Sequence, residues 1–211
     1  MSRNTLNAAG LLEFSMDSGR NAAGASSPGP LEGWSGVSLP GAIERTVADN
    51  GCARRVQLWI PDAAPPPAGF PLIHVLDGDE LFVLFAETMR RLSRFPGRTG
   101  ISPAIVAGVS SDANGDGGKR RYSDYTFGPP AEPADAPEGV SWGGGPALLD
   151  FLADDVPALV ARHVPVDRTH AVIYGHSLGG YFALNAAIAR PRLFSVCGAV
   201  SPSLWWDADR V

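Results

Sequence analysis

The chain has 211 residues, a length that ordinarily makes one domain, since splitting sets in only at roughly 250 residues. Hydrophobic residues make up 45% and charged residues 18%, with a net charge of -5, which excludes a disordered chain, a coiled coil and a phosphate-seeking surface. The 25 glycines and 19 prolines demand many turns between short elements and argue against a helical bundle.

Residues 1–43, rich in Gly, Ser, Ala and Asn, read as an irregular lead-in. They hold no apolar run of signal-peptide length, and no stretch of the chain approaches the roughly 20 apolar residues of a membrane span. The expected address is cytoplasmic, with no membrane and no nucleic-acid partner. From residue 43, IERTVAD and RRVQLWIP alternate polar and apolar side chains around Asp49-Asn50-Gly51, which predicts an antiparallel hairpin. Ala63 to Gly69, with three consecutive prolines, is a rigid connector.

PLIHVLDG (71–78) is a nearly continuous apolar run, as a strand buried on both faces requires. Residues 80–94 space their apolar side chains helically, and Pro96-Gly97 is expected to stop that helix. Two buried strands (102–110 and 170–177), two helices (146–164 and 178–190) and a further strand (194–203) complete the alternation. Residues 44–211 are thus predicted to form an α/β domain with a mostly parallel sheet and helices on both faces. In such folds sites lie at the carboxyl ends of the strands.

Residues 111–145 break the rhythm and are far longer than a usual connection of roughly 2 to 6 residues, so they are expected as a long loop over the site. Asp112 to Gly117 matches the first half of a calcium loop, D-x-N-x-D-G. Ser123 stands at the twelfth position where a bidentate Glu is needed, so the segment is taken as a turn. Cys52 and Cys197 fit no metal or redox spacing. No metal and no cofactor are expected.

Chemistry enters at Gly175-His176-Ser177-Leu178-Gly179, a G-x-S-x-G match between a buried strand and a helix. That context is what a nucleophile elbow needs, with small residues where a Cβ would clash beside a strained serine. Ser177 is the predicted nucleophile, and the Leu178 N–H the first oxyanion donor. The turn Asp77-Gly78-Asp79 is expected to supply the second donor, from the N–H of Asp79 or Gly78.

The run HAVIYGHSLGGYFALNAAIARPRLFSVCGAVSPSLWW, the segment LIHVLDGDELF and Arg121-Tyr122-Ser123-Asp124-Tyr125-Thr126 together resemble the "Putative esterase" family of α/β hydrolases, in its enterochelin (siderophore) esterase-like branch. The resemblance covers residues from about 44 to 211. It implies the α/β-hydrolase fold and serine hydrolysis of a small-molecule carboxylic ester. It also implies that Arg121, Trp205 and Trp206 face the substrate, with Gly78 and His176 beside them. On residue type alone, Arg121 reads equally as a surface charge and the tryptophan pair as core aromatics.

A serine needs a base, and in these hydrolases the chain order is serine, acid, histidine. No histidine follows Ser177. His74 lies in a strand, His163 at a helix end, His170 at the start of the nucleophile strand and His176 in the elbow, positions that point each away from where a base must sit. Asp207 and Asp209 are acids without an imidazole to orient. The resemblance stops at SPSLWWDADRV, where relatives continue with two more strands and the histidine loop. The expectation is therefore an α/β-hydrolase cut short before its last strands and impaired as an esterase. Its last strand would be an uncovered apolar edge open to self-association. A non-catalytic binding or remnant domain and an acyltransferase are the alternatives.

Overall fold

The computed structural model describes residues 35–49, 52–111, 118–132 and 137–211. Most of the lead-in, the hairpin residues Asn50 and Gly51, and the half-match to a calcium loop at 112–117 lie outside the described residues. Residues 38–211 form one unit built on a six-stranded sheet.

The predicted hairpin is β1 (Ala42–Asp49) and β2 (Cys52–Trp59), paired antiparallel from Ala42↔Trp59 to Asp49↔Cys52. The apolar runs become β3 (Phe70–Leu76), β4 (Ile105–Ser110), β5 (Val166–His176) and β6 (Val196–Val200). The order is β1-β2-β4-β3-β5-β6, with β4, β3, β5 and β6 mutually parallel and β2 antiparallel to β4.

Helices cover both faces, and the strands show it residue by residue. Val75 of β3 packs with Trp59, Val106 and α1 (Gly78–Leu92) on one face through Phe82 and Ala86. Leu72 and Leu76, on the opposite side of the same strand, join the larger core beneath α6 (Leu178–Ala189). Close approach of α1 to the sheet is set by Gly78, where a Cβ would sit 2.7 Å from the Gly108 backbone. α6 is apolar nearly all round, which suits a helix enclosed on most sides.

Four features depart from the expected elements. Pro96 opens a short helix, α2 (Pro96–Thr99), because a proline is well suited to a first helical turn. The predicted 111–145 loop contains α3 (Lys119–Tyr125) and the start of the next helix. The helix expected at 146–164 is a rod of three pieces: α4 (Gly145–Asp150), a π-helical turn (Phe151–Asp155) and α5 (Val156–Ala161). Finally, β5 begins at Val166, four residues before the expected start, in the polar stretch Val166-Asp167-Arg168-Thr169.

β6 is an edge strand, and Val196 and Val200 are exposed along it. Among the described residues no helix is long and apolar enough to cross a membrane.

Candidate active site

The loop from β5 into α6 makes Ser177 the residue just before the helix, with φ 57° and ψ -119°. A non-glycine residue there is strained, and it persists only when its surroundings over-determine it. Those surroundings are tight: a Cβ on Gly175 would fall 2.1 Å from the Gly179 carbonyl oxygen. Ser177 N–H donates to Val200 O at 3.0 Å, and Ser177 O accepts from Tyr181 N–H at 3.0 Å and Ser203 N–H at 2.9 Å. The backbone of the turn is thus pinned to the end of β6 and to its own helix.

Ser177 Oγ lies 3.0 Å from Ser203 Oγ, a hydroxyl pair in which either can donate. Leu178 opens α6, so its N–H has no carbonyl one turn back in the helix. A helix N-terminus of this kind favours developing negative charge beside the serine.

Asp77 caps β3 in the left-handed region, φ 52°, and starts α1. Its N–H donates to Tyr125 Oη at 2.8 Å. Its carboxylate takes a forked pair from Arg121, Nε to Oδ1 at 2.7 Å and Nη2 to Oδ2 at 2.9 Å. The same Nη2 reaches the His176 carbonyl at 3.3 Å. A Cβ on Gly179 would lie 3.3 Å from Asp77 Oδ2, so the carboxylate sits against the first turn of α6. Arg121 therefore ties the β3–α1 turn to the elbow.

Burial opposes the Arg121 charge, yet Asp77 outweighs it and holds the guanidinium above its usual range. The fully enclosed Tyr125 hydroxyl is pushed up well beyond an ordinary phenol, by burial first and the Asp77 charge second. It stays neutral while accepting the Asp77 N–H.

α3, which carries Arg121 and Tyr125, is anchored from β2. Arg54 is 1% exposed and donates to both Asp124 oxygens, Nη1 at 2.5 Å and Nη2 at 3.1 Å, and through Nε to Asp49 at 2.7 Å. Arg120 adds a contact to Asp124 at 3.2 Å. Sequence reasoning missed this support, although a signal exists. Arg54 shares the inward face of β2 with Val56 and Leu58, and a charge at an inward strand position needs a partner.

The remaining candidates divide. The Asp79 N–H, an expected oxyanion donor, is engaged by Ser110 Oγ at 2.8 Å. Gly78 is buried and serves the α1–β4 contact. His176 is exposed beside Ser177. Trp205 is 51% exposed, whereas Trp206 is fully buried, its ring tilted 43° against Tyr122 with the centroids 5.9 Å apart, and bonded through Nε1 to Gly128 O. Trp206 thus holds the 127–131 segment to the core, and Trp205 keeps the open face.

His74 is buried within β3. His170 binds Asp167 through Nδ1 at 2.7 Å, seven residues before Ser177 on β5, or about 23 Å along the strand. His163 follows α5, its N–H turned back to Val160 O. The only side-chain hydrogen bond given to Ser177 Oγ among the described residues is that with Ser203. Among those residues no cluster of three or more His, Cys, Asp or Glu could hold a metal ion.

The family model described as "Putative esterase" matches residues 48–210. The chain is 31% identical over 177 residues to the ferri-bacillibactin esterase BesA of Bacillus subtilis, covering 81% of this chain and 61% of that one. It is 39% identical over 145 residues to a siderophore triacetylfusarinine C esterase of Aspergillus fumigatus, covering 65% and 46%. A crystal structure of the BES protein from Bacillus cereus superimposes with a TM-score of 0.73 at 26% identity, over 82% of this chain and 68% of that one. The chain therefore spans between about half and three fifths of the length of these two curated relatives.

Proposed function

We propose that this chain, which belongs to that esterase family, carries the nucleophile of a serine-type carboxylic ester hydrolase acting on a siderophore ester. The observation that carries the reading is Ser177, strained at φ 57° between Gly175 and Gly179 at the carboxyl end of β5. The substrate class rests on the similarity to the ferri-bacillibactin and triacetylfusarinine C esterases. Ser177 Oγ adds to the ester carbonyl as its proton passes to solvent or to added imidazole, and the oxyanion forms against the Leu178 N–H; collapse expels the protonated alcohol, and water then releases the acid from the acyl-serine. The Asp79 N–H joins once Ser110 Oγ gives way. Arg121 positions the two halves of this cradle through Asp77 and His176, and Trp205 offers an aromatic surface to the substrate.

Among the described residues Ser177 Oγ is hydrogen-bonded to Ser203 Oγ and to no imidazole. We therefore expect hydrolysis by this chain alone to be slow, limited to what positioning and oxyanion donors give without a base. We assign it a cytoplasmic address and a capacity to self-associate along the β6 edge, which sedimentation of Val196→Lys against the unaltered chain tests: the lysine keeps the chain monomeric if the edge is the contact.

Turnover of a short nitrophenyl ester, with and without added imidazole, tests the catalytic reading. Little turnover alone, rescue by imidazole, and loss of rescue in Ser177→Ala are expected. All rates are taken above that of imidazole in buffer, which hydrolyses such esters by itself; a protein-dependent, imidazole-stimulated excess that survives Ser177→Ala contradicts the reading and favours a binding or remnant domain.

A further inference from the structure

At the end of the sheet opposite Ser177, a cavity of about 200 Å³ opens between β3, β5, the π-helical turn and the loop from α6 to β6. His74 stands in its wall. It is 1% exposed, and its Nδ1 is buried with no hydrogen-bond partner. His74 is paired with Ile173, four residues before Ser177, so it lies about 13 Å from the elbow along the strand.

A buried polar nitrogen without a partner is uncommon in native proteins and calls for a specific explanation. A second, independent feature points to the same place. The π-helical turn sets Leu152, Ala153 and Asp154 against the cavity, and π turns within α-helices recur at functional sites. Leu72, Leu152 and Phe194 make the walls apolar, and the Phe194 ring meets the His74 ring nearly edge-on at 5.6 Å.

The size and chemistry narrow the occupant. An apolar cavity of about 150 Å³ accepts benzene, so this one has room for a single ring with a substituent. At the rim, Asp154 and Asp167 balance Arg168 and Arg190, which favours an uncharged molecule. One hydrogen-bonding group on it must face Nδ1, and a hydroxyl both donates and accepts, so it serves either tautomer of the imidazole. Burial keeps that imidazole neutral down to about pH 4.

We propose that this cavity is a second ligand site, for a neutral single-ring molecule whose one hydroxyl hydrogen-bonds to His74 Nδ1. It is separate from the elbow and does not depend on the hydrolase reading.

The test titrates the full chain with phenol and with toluene, by calorimetry and by the ¹⁵N resonances of labelled histidine. Phenol is expected to bind about tenfold more tightly than toluene and to move the His74 Nδ1 resonance. His74→Phe removes the preference for phenol. Ala153→Leu, which fills the cavity from the π turn, weakens both ligands and covers the case in which His74→Phe fails to fold. Equal binding of phenol and toluene, binding of neither, or phenol binding that leaves the His74 resonance unmoved overturns the proposal, the middle result meaning that water alone satisfies Nδ1.

Discussion

The Arg121 guanidinium forks onto the Asp77 carboxylate at 2.7 and 2.9 Å, and one arm of the fork also reaches the carbonyl of His176, the residue before the nucleophile. Two loops far apart in sequence are thereby held in one register. The arginine that family likeness sets beside the substrate is, in the free protein, a brace.

Arg121→Ala should destabilise the fold by about 2 kcal/mol, less than a fully buried pair would lose because the guanidinium is partly exposed. Arg121→Lys should recover only part of this, since a lysine cannot fork. Urea unfolding of the three proteins checks it, and equal stability of the lysine and arginine forms would contradict the bracing role.

Gly175→Ala should prevent the elbow from closing, because the added methyl lands on the Gly179 carbonyl; a loss above about 3 kcal/mol is expected. Gly97→Ala, in α2 with open space around it, should be neutral or stabilise by about 0.5 kcal/mol. Thermal unfolding of the pair separates a local clash from a general effect of glycine replacement.

Asp124→Ala leaves Arg54 buried beside Asp49 alone and should cost about 3 to 5 kcal/mol. It should also free α3, seen as faster amide exchange at residues 119–125. Unchanged exchange there would show that α3 is held by its packing and not by the Arg54 anchor.

His74 gives the acid side of the stability profile a definite sign. Its folded-state value, about 4, lies below the 6.5 of an ordinary imidazole, by burial. Between those values the unfolded chain binds the extra proton, so stability falls as pH drops from about 6.5 towards 4. The loss attributable to this group totals about 3 kcal/mol. Chemical denaturation of the unaltered chain and of His74→Phe across that window should show a steeper slope in the former. Parallel slopes would mean that the imidazole is hydrated when folded.

Much of the sheet was legible because its strands announce themselves by composition. FPLIHVL and IVAGVS are continuous apolar runs, and the Gly175–Gly179 spacing between strand and helix identifies the elbow without any structure. Lys119–Tyr125 was not legible, since KRRYSDY has no apolar stripe; its helix is held by Arg54, which lies 70 residues from Asp124 in the chain. The π turn was equally hidden, because an apolar pattern read at 3.6 residues per turn does not register one wider turn at Phe151–Asp155. Trp205 and Trp206 show the limit of residue type: adjacent and identical, one is exposed and the other fully buried.

Covalent trapping tests most directly whether Ser177 is the nucleophile. The full chain is incubated with a fluorophosphonate, with and without imidazole, and the adduct is located by peptide mass spectrometry. A single phosphonyl adduct on Ser177, formed slowly alone and faster with imidazole, is the predicted result. An adduct on another residue, or none at Ser177 under either condition, contradicts it.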